Sequence, residues 1–99
     1  MSTNTLAPTG FDLDAGWRLH PRVSVRPERF GALLYHFGTR RLSFVKTPTL
    51  LRVVQLLESQ RSARTACVAA GVEVAQMSAY AAALATLARS SMICERTVA

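Results

Sequence analysis

The stretch Phe30-Gly31-Ala32-Leu33-Leu34-Tyr35-His36-Phe37-Gly38-Thr39-Arg40-Arg41-Leu42-Ser43-Phe44-Val45-Lys46 reads as a β-hairpin, and the rest of the fold is anchored on it. Two apolar runs, Phe30 to Phe37 and Arg41 to Lys46, flank Phe37-Gly38-Thr39-Arg40. A two-residue turn on Gly38-Thr39, with glycine in the first central position, suits type II′. That turn sets the register. Tyr35 then faces Leu42 and Leu33 faces Phe44 on one side, while Leu34 faces Ser43, Ala32 faces Val45 and His36 faces Arg41 on the other. The side carrying the large apolar pairs is expected to be the covered one.

Upstream, His20 to Arg26 alternates, with Arg22, Ser24 and Arg26 on one face and Val23 and Val25 between them. This is a half-buried strand, and Pro27-Glu28 is expected to turn the chain after it. Downstream the pattern becomes helical. Thr47 is placed to cap a helix that begins at Pro48, with Leu50, Leu51, Val54 and Leu57 on one stripe. Ser62 caps a second, short helix that ends in a left-handed residue at Gly71. A third helix runs from about Val74 to Ser90, with Met77, Tyr80, Ala81, Leu84, Leu87 and Ala88 on one stripe. Three strands followed by three helices make an α+β domain, an antiparallel meander packed on a small bundle. Residues 1–16 read as a flexible N-terminal arm, 17–94 as the single domain and 95–99 as a tail.

The chain has 99 residues, 49% hydrophobic and 18% charged, the balance of one globular domain rather than a disordered chain. No apolar run has the length of a membrane span, and the N-terminus has neither the basic start nor the apolar segment of a secretory signal; a cytoplasmic protein is expected. Twelve basic residues against six acidic give a net charge of +6, and eleven of the twelve are arginine. Such an excess favours an anionic partner.

Little in the sequence carries chemistry. His20 and His36 have no nearby acid to orient them and read as solvated side chains. The six acids form no evident pair for general acid–base work, and the glycines form neither a dinucleotide fingerprint nor a P-loop. Cys67 and Cys94 are far apart in sequence, so they read as two reduced thiols, with Cys67 half-buried in its helix, and not as a metal or iron–sulfur site. The expectation is no catalytic residue, no metal and no cofactor. Two surfaces point to binding instead. Arg41 to Lys46, as the last strand of a meander, leaves an edge whose backbone groups are free to take up another strand. In the third helix Ala79, Ala82, Ala83 and Ala85 leave smooth ground beside Tyr80, Leu84 and Leu87, where a backbone can approach closely.

The segments Trp17-Arg18-Leu19, Val25-Arg26-Pro27-Glu28, Phe30-Gly31-Ala32-Leu33-Leu34-Tyr35, Thr39 to Lys46 (TRRLSFVK), Lys46-Thr47-Pro48, and Leu84 to Arg89 with Met92-Ile93 resemble the precursor-binding chaperone family of mycofactocin biosynthesis. More distantly the chain is similar to the small peptide carrier of pyrroloquinoline quinone biosynthesis, within the recognition elements of ribosomally made, modified peptides. The resemblance implies a winged helix-turn-helix-like domain without catalytic activity. It implies that the acidic leader of a precursor peptide adds as a strand beside the third strand, lies against the third helix, and is delivered to a radical S-adenosylmethionine maturase. The implied peptide-binding residues are Arg41, Leu42, Ser43, Phe44, Val45 and Lys46 on the strand and Tyr80, Ala83, Leu84 and Leu87 on the helix. A monomer or weak dimer, with no nucleic acid and no membrane, completes the expectation. The alternative is a winged helix-turn-helix DNA-binding regulator. It needs polar or basic side chains along a recognition helix, whereas the third helix offers only Gln76 at its start and Arg89 at its end, and most arginines lie in and around the sheet.

Overall fold

The computed structural model describes residues 11–96. Its elements are β1 (Trp17–Leu19), β2 (Val23–Glu28), β3 (Gly31–His36), β4 (Leu42–Val45), α1 (Pro48–Leu56), α2 (Ala63–Ala69), α3 (Met77–Arg89) and β5 (Ile93–Glu95), with short 3-10 turns at Leu57–Ser59 and Val74–Gln76. Among the described residues the fold is α+β, with two antiparallel sheets and three helices. One sheet has the order β2-β3-β4, so the third strand of the sequence reading is β4, at an edge. The other pairs β1 with β5, setting Arg18 opposite Cys94 and Leu19 opposite Ile93.

The hairpin register is the expected one: Tyr35 pairs with Leu42, Leu33 with Phe44, Leu34 with Ser43 and Ala32 with Val45. The turn is not. Gly38 avoids the left-handed region that type II′ requires; Arg40 enters it instead, at φ 64°. The Arg40 N–H donates to the His36 carbonyl at 2.7 Å, and the His36 N–H donates to the Arg41 carbonyl at 3.0 Å. The loop is therefore the four residues 37–40. Two-residue and four-residue loops differ by one whole cross-strand pair, which is why the register survives the change of turn.

The covered face is the opposite of the one expected. Ala32, Leu34, His36 and Val45 are buried, while Leu42 and Phe44 are each 58% exposed and Leu33 and Tyr35 only half-buried. The cause lies in β2. Val25 pairs with Leu34 and Val23 with His36, whereas Arg26 pairs with Leu33 and Ser24 with Tyr35. Turning Leu33 and Tyr35 inward would take Arg26 inward as well, and an unpaired buried charge costs far more than an exposed phenyl ring. The outer sheet face consequently presents a run of aromatic contacts: Phe30 against Phe44 at 6.2 Å, and Tyr35 edge-on to Phe37 at 5.0 Å.

Strand β2 also runs on through Pro27 and Glu28, where a turn was expected. It is the other edge of its sheet, so the proline withholds no ladder hydrogen bond. Thr47 accepts from the Leu50 N–H at 3.0 Å with Pro48 following, so α1 starts as read. Ser62 caps α2 in a reciprocal pair with Thr65, and Gly71 (φ 94°) follows in the left-handed region. Val53, Val54 and Leu57 of the first helical segment, Ala66 and Cys67 of α2, and Leu84, Ala85 and Leu87 of α3 close the core over Leu34 and Val45. Cys67 is fully buried rather than half-buried, and that burial pushes its thiol pKa up.

Residues 11–16, expected as part of an arm, pack onto the domain: Phe11 is buried, and Leu13 and Ala15 lie against the core. Phe11 stacks on Trp17 at 4.5 Å, and the Trp17 indole N–H donates to the Asp12 carbonyl at 2.8 Å. The Ala63 and Arg64 N–H groups donate to the Ala15 and Leu13 carbonyls, which satisfies two orphan donors at the start of α2. Asp14 pairs with Arg64 at 2.8 Å, and that hydrogen bond holds the Asp14 carboxyl below its ordinary range. At the other end, the Arg96 guanidinium donates to the carbonyls of Glu58, Gln60 and Arg61. The remainder of the expected arm, residues 1–10, and residues 97–99 of the expected tail lie outside the described residues.

His36 is only 3% exposed, not solvated. Its Nδ1 accepts from the Gly38 and Thr39 N–H groups at 2.9 and 3.1 Å, which leaves the ring hydrogen on Nε2. The imidazole of His20 stands 4.4 Å away. Burial first, then repulsion from His36, Arg18 and Arg22, lowers the His20 pKa below its ordinary 6.5. The unfolded chain therefore binds this proton more readily than the folded one. His20 leaves stability intact above the ordinary histidine range and subtracts from it as pH falls through 6.5 toward the lower folded pKa. Thermal melts from about pH 8 to pH 5 are expected to show that decline, and His20→Asn to flatten it.

Candidate peptide groove

The sequence places β4 immediately before α1 through the Thr47 cap, and the core packing of α3 brings its middle alongside the β4 edge. Between them runs a groove of about 510 Å³. One wall is Leu42, Ser43, Phe44 and Lys46; the other is Ala83, Thr86 and Leu87, with Leu50 of α1 at the end nearest Lys46. Ser43 Oγ lies 3.5 Å from the Oγ of Ser90, just after the last residue of α3. Ala83, the first of the α3 residues in the lining, leaves that end of the wall slim. The lining is mostly apolar, with Lys46 its charged member.

The backbone of β4 completes the site. His36 and Arg41 form a hydrogen-bonding pair, so by antiparallel alternation Leu34–Ser43 and Ala32–Val45 are bonded pairs too. The Phe37 N–H to Arg22 carbonyl bond at 2.8 Å, on the β2 side, gives the same alternation along β3. The N–H and C=O groups of Leu42 and Phe44 then point away from β3, to the open edge along the groove. A chain in extended conformation could bond there without disturbing the sheet.

Of the residues singled out from sequence, Leu42, Ser43, Phe44, Lys46, Ala83 and Leu87 meet at the groove. Val45 and Leu84 are fully buried and face the core, so they support the walls from behind. Tyr80 is half-buried against the core and does not line the groove. Arg41 sits just beyond the end of the groove, in a separate notch with Thr39, Arg89, Ser90 and Ser91. Leu50 and Thr86 were missed. Thr86 was legible as the position three residues after Ala83 on the same helix face, while Leu50 was read as part of the α1 core stripe. No set of three histidine, cysteine or acidic side chains among the described residues could hold a metal ion, and no described helix is long and apolar enough to cross a membrane.

The groove and its edge strand lie within residues 16–94, and it is over these residues that the chain matches the peptide chaperone MftB family. The chain belongs to that family. It is 57% identical over 86 residues to the peptide chaperone MftB of Mycobacterium tuberculosis, covering 87% of this chain and 79% of the relative. It is 57% identical over 83 residues to that of Mycobacterium ulcerans, covering 84% and 76%. With that of Mycolicibacterium smegmatis it shares 52% identity over 93 residues, covering 94% and 91%. No solved structure matches the chain. The family is one of peptide chaperones, not of enzymes.

Proposed function

We propose that this protein binds the leader of the mycofactocin precursor peptide by strand addition at β4 and presents it to a radical S-adenosylmethionine maturase. In this reading the domain is winged helix-turn-helix-like, acts in the cytoplasm as a monomer or weak dimer, and catalyses nothing itself. The observation that carries it is the open edge of β4, whose Leu42 and Phe44 backbone groups run along an apolar groove walled by α3. Main-chain bonds supply affinity in such a mode, and the groove supplies selectivity. The net charge of +6 draws an acidic leader toward it. A carrier that holds the leader raises the concentration of the far end of the peptide at the enzyme, often to about the millimolar range set by linker length. Duplex DNA fits less well, since the exposed side of α3 is Ser78, Ala79, Ala82 and Thr86, with a single basic residue, Arg89, at its end.

Calorimetric titration tests the reading, with the mycofactocin precursor peptide in one arm and a duplex DNA in the other. Saturable binding of the peptide is expected, weakened but not abolished at 1 M salt, where the Debye length is about 3 Å. A steep salt slope with DNA and no peptide binding would overturn the proposal. In an anaerobic assay the peptide mass is expected to stay unchanged with this chain alone. It should shift with the maturase, and shift less when the chaperone is left out.

A further inference from the structure

We propose that Arg41 and Arg89 form a carboxylate site at the end of the groove, which takes one Asp or Glu side chain of the docked peptide and thereby sets its register. This rests on the strand-addition reading above and adds to it the chemistry and position of one ligand residue.

The two arginines come from elements remote in sequence, the approach to β4 and the last residue of α3. They nevertheless line one notch of about 240 Å³, with Thr39, Ser90 and Ser91. Both are exposed, and neither has a carboxylate in ion-pairing range among the described residues. Each has an ordinary reason to be where it is: a cation suits a helix C-terminus, and a charge protects a sheet edge. The ordinary reason is weak for Arg89. The Thr86, Leu87 and Ala88 carbonyls already accept from the N–H groups of Ser90, Met92 and Ser91. The Arg89 guanidinium reaches only the Thr86 hydroxyl, at 3.4 Å. Arg41 shares its face of the chain with Ser43, whose hydroxyl looks toward Ser90. Two unspent guanidinium groups facing one notch are suited to a carboxylate, which accepts charge-assisted bonds from both.

The notch adjoins the groove, since Leu42 and Leu87, which line the groove, stand next to Arg41 and close to Arg89. Strand geometry then dictates a ligand pattern. Side chains of a docked strand alternate, and those opposite Arg41, Ser43 and Val45 all point toward α3. The acid opposite Arg41 is thus two residues from the side chain that enters the groove opposite Ser43, on the Leu87 side. The signature is acid–any–apolar if the peptide runs parallel to β4, and apolar–any–acid if it runs antiparallel.

The experiment titrates the full chain with the mycofactocin precursor peptide and with variants in which each acidic residue is changed singly to its amide. One acid, two residues from an apolar one, is expected to matter most, with its amide binding about tenfold more weakly. That loss should vanish in the Arg41→Gln/Arg89→Gln protein, while Arg41→Lys/Arg89→Lys retains part of it. Arg22→Gln and Arg26→Gln, at the other edge of the sheet, serve as charge controls and should leave the coupling intact. If Arg41→Gln/Arg89→Gln binds the unaltered peptide as the native chain does, or if no acid couples to both arginines, the notch is refuted while peptide binding stands. If the native chain fails to bind the peptide at all, the strand-addition reading falls, and the notch with it.

Discussion

Leu84→Asp is expected to unfold the domain, whereas Ala83→Trp, one residue earlier, is expected to leave it folded and block the peptide. Leu84 is wholly buried among the helices and the sheet. A carboxylate there has no cation to meet, and an unpaired buried charge costs several kcal/mol, a large part of the about 5–15 kcal/mol that holds a domain together. Circular dichroism and a thermal melt read this directly. Ala83 is half-buried and opens onto the groove. An indole at that position fills the space a ligand side chain would enter and touches the core little. Peptide affinity should drop at least about tenfold with the melting temperature nearly unchanged. Ordinary binding by a folded Ala83→Trp protein would place the peptide somewhere other than this groove.

The second large effect separates backbone from side chain on β4. Phe44→Ala and Phe44→Pro both remove the ring, but only proline removes the N–H that points to the open edge. Proline is tolerated on an edge strand where its missing N–H faced solvent, so both proteins should fold. The Pro variant should bind the precursor peptide about ten- to a hundredfold more weakly than the Ala variant, through the lost bond and the clash of the ring with the incoming strand. Ser43→Pro and Val45→Pro make the complementary pair. Their N–H groups serve the ladder to β3, so these substitutions should lower the melting temperature. Equal affinities for Phe44→Ala and Phe44→Pro would rule out strand addition at this edge.

Much of this architecture was written in local signals. The cap at Thr47 with Pro48, the cap at Ser62 and the left-handed Gly71 are decided by side-chain chemistry and backbone sterics within a few residues. The β3–β4 register follows from the spacing of the apolar runs, and it held although the turn was of another kind. Half of the groove, from Leu42 to Lys46, was legible for the same reason: a last strand in a meander has a free edge. On α3, helical spacing identified Ala83 and Leu87, but it could not separate them from Leu84, because a stripe shows which residues lie together and not which way the helix is rolled.

Composition, helix boundaries, the pairing of β2, β3 and β4 and the exposed edge were thus determined by the sequence itself, through interactions that reach a few residues or one turn. Only the tertiary structure decided which face of the sheet is covered. Both faces of the hairpin carry apolar residues, and the choice fell to β2, where Val23 and Val25 can be buried and Arg26 cannot. It alone joined β1 to β5, because three-residue strands have no readable period and their partner lies at the far end of the chain. It placed Phe11 on Trp17, and it brought Arg41 and Arg89 to one notch. Each of these depends on how whole elements pack against one another, a condition that no local stretch of sequence expresses.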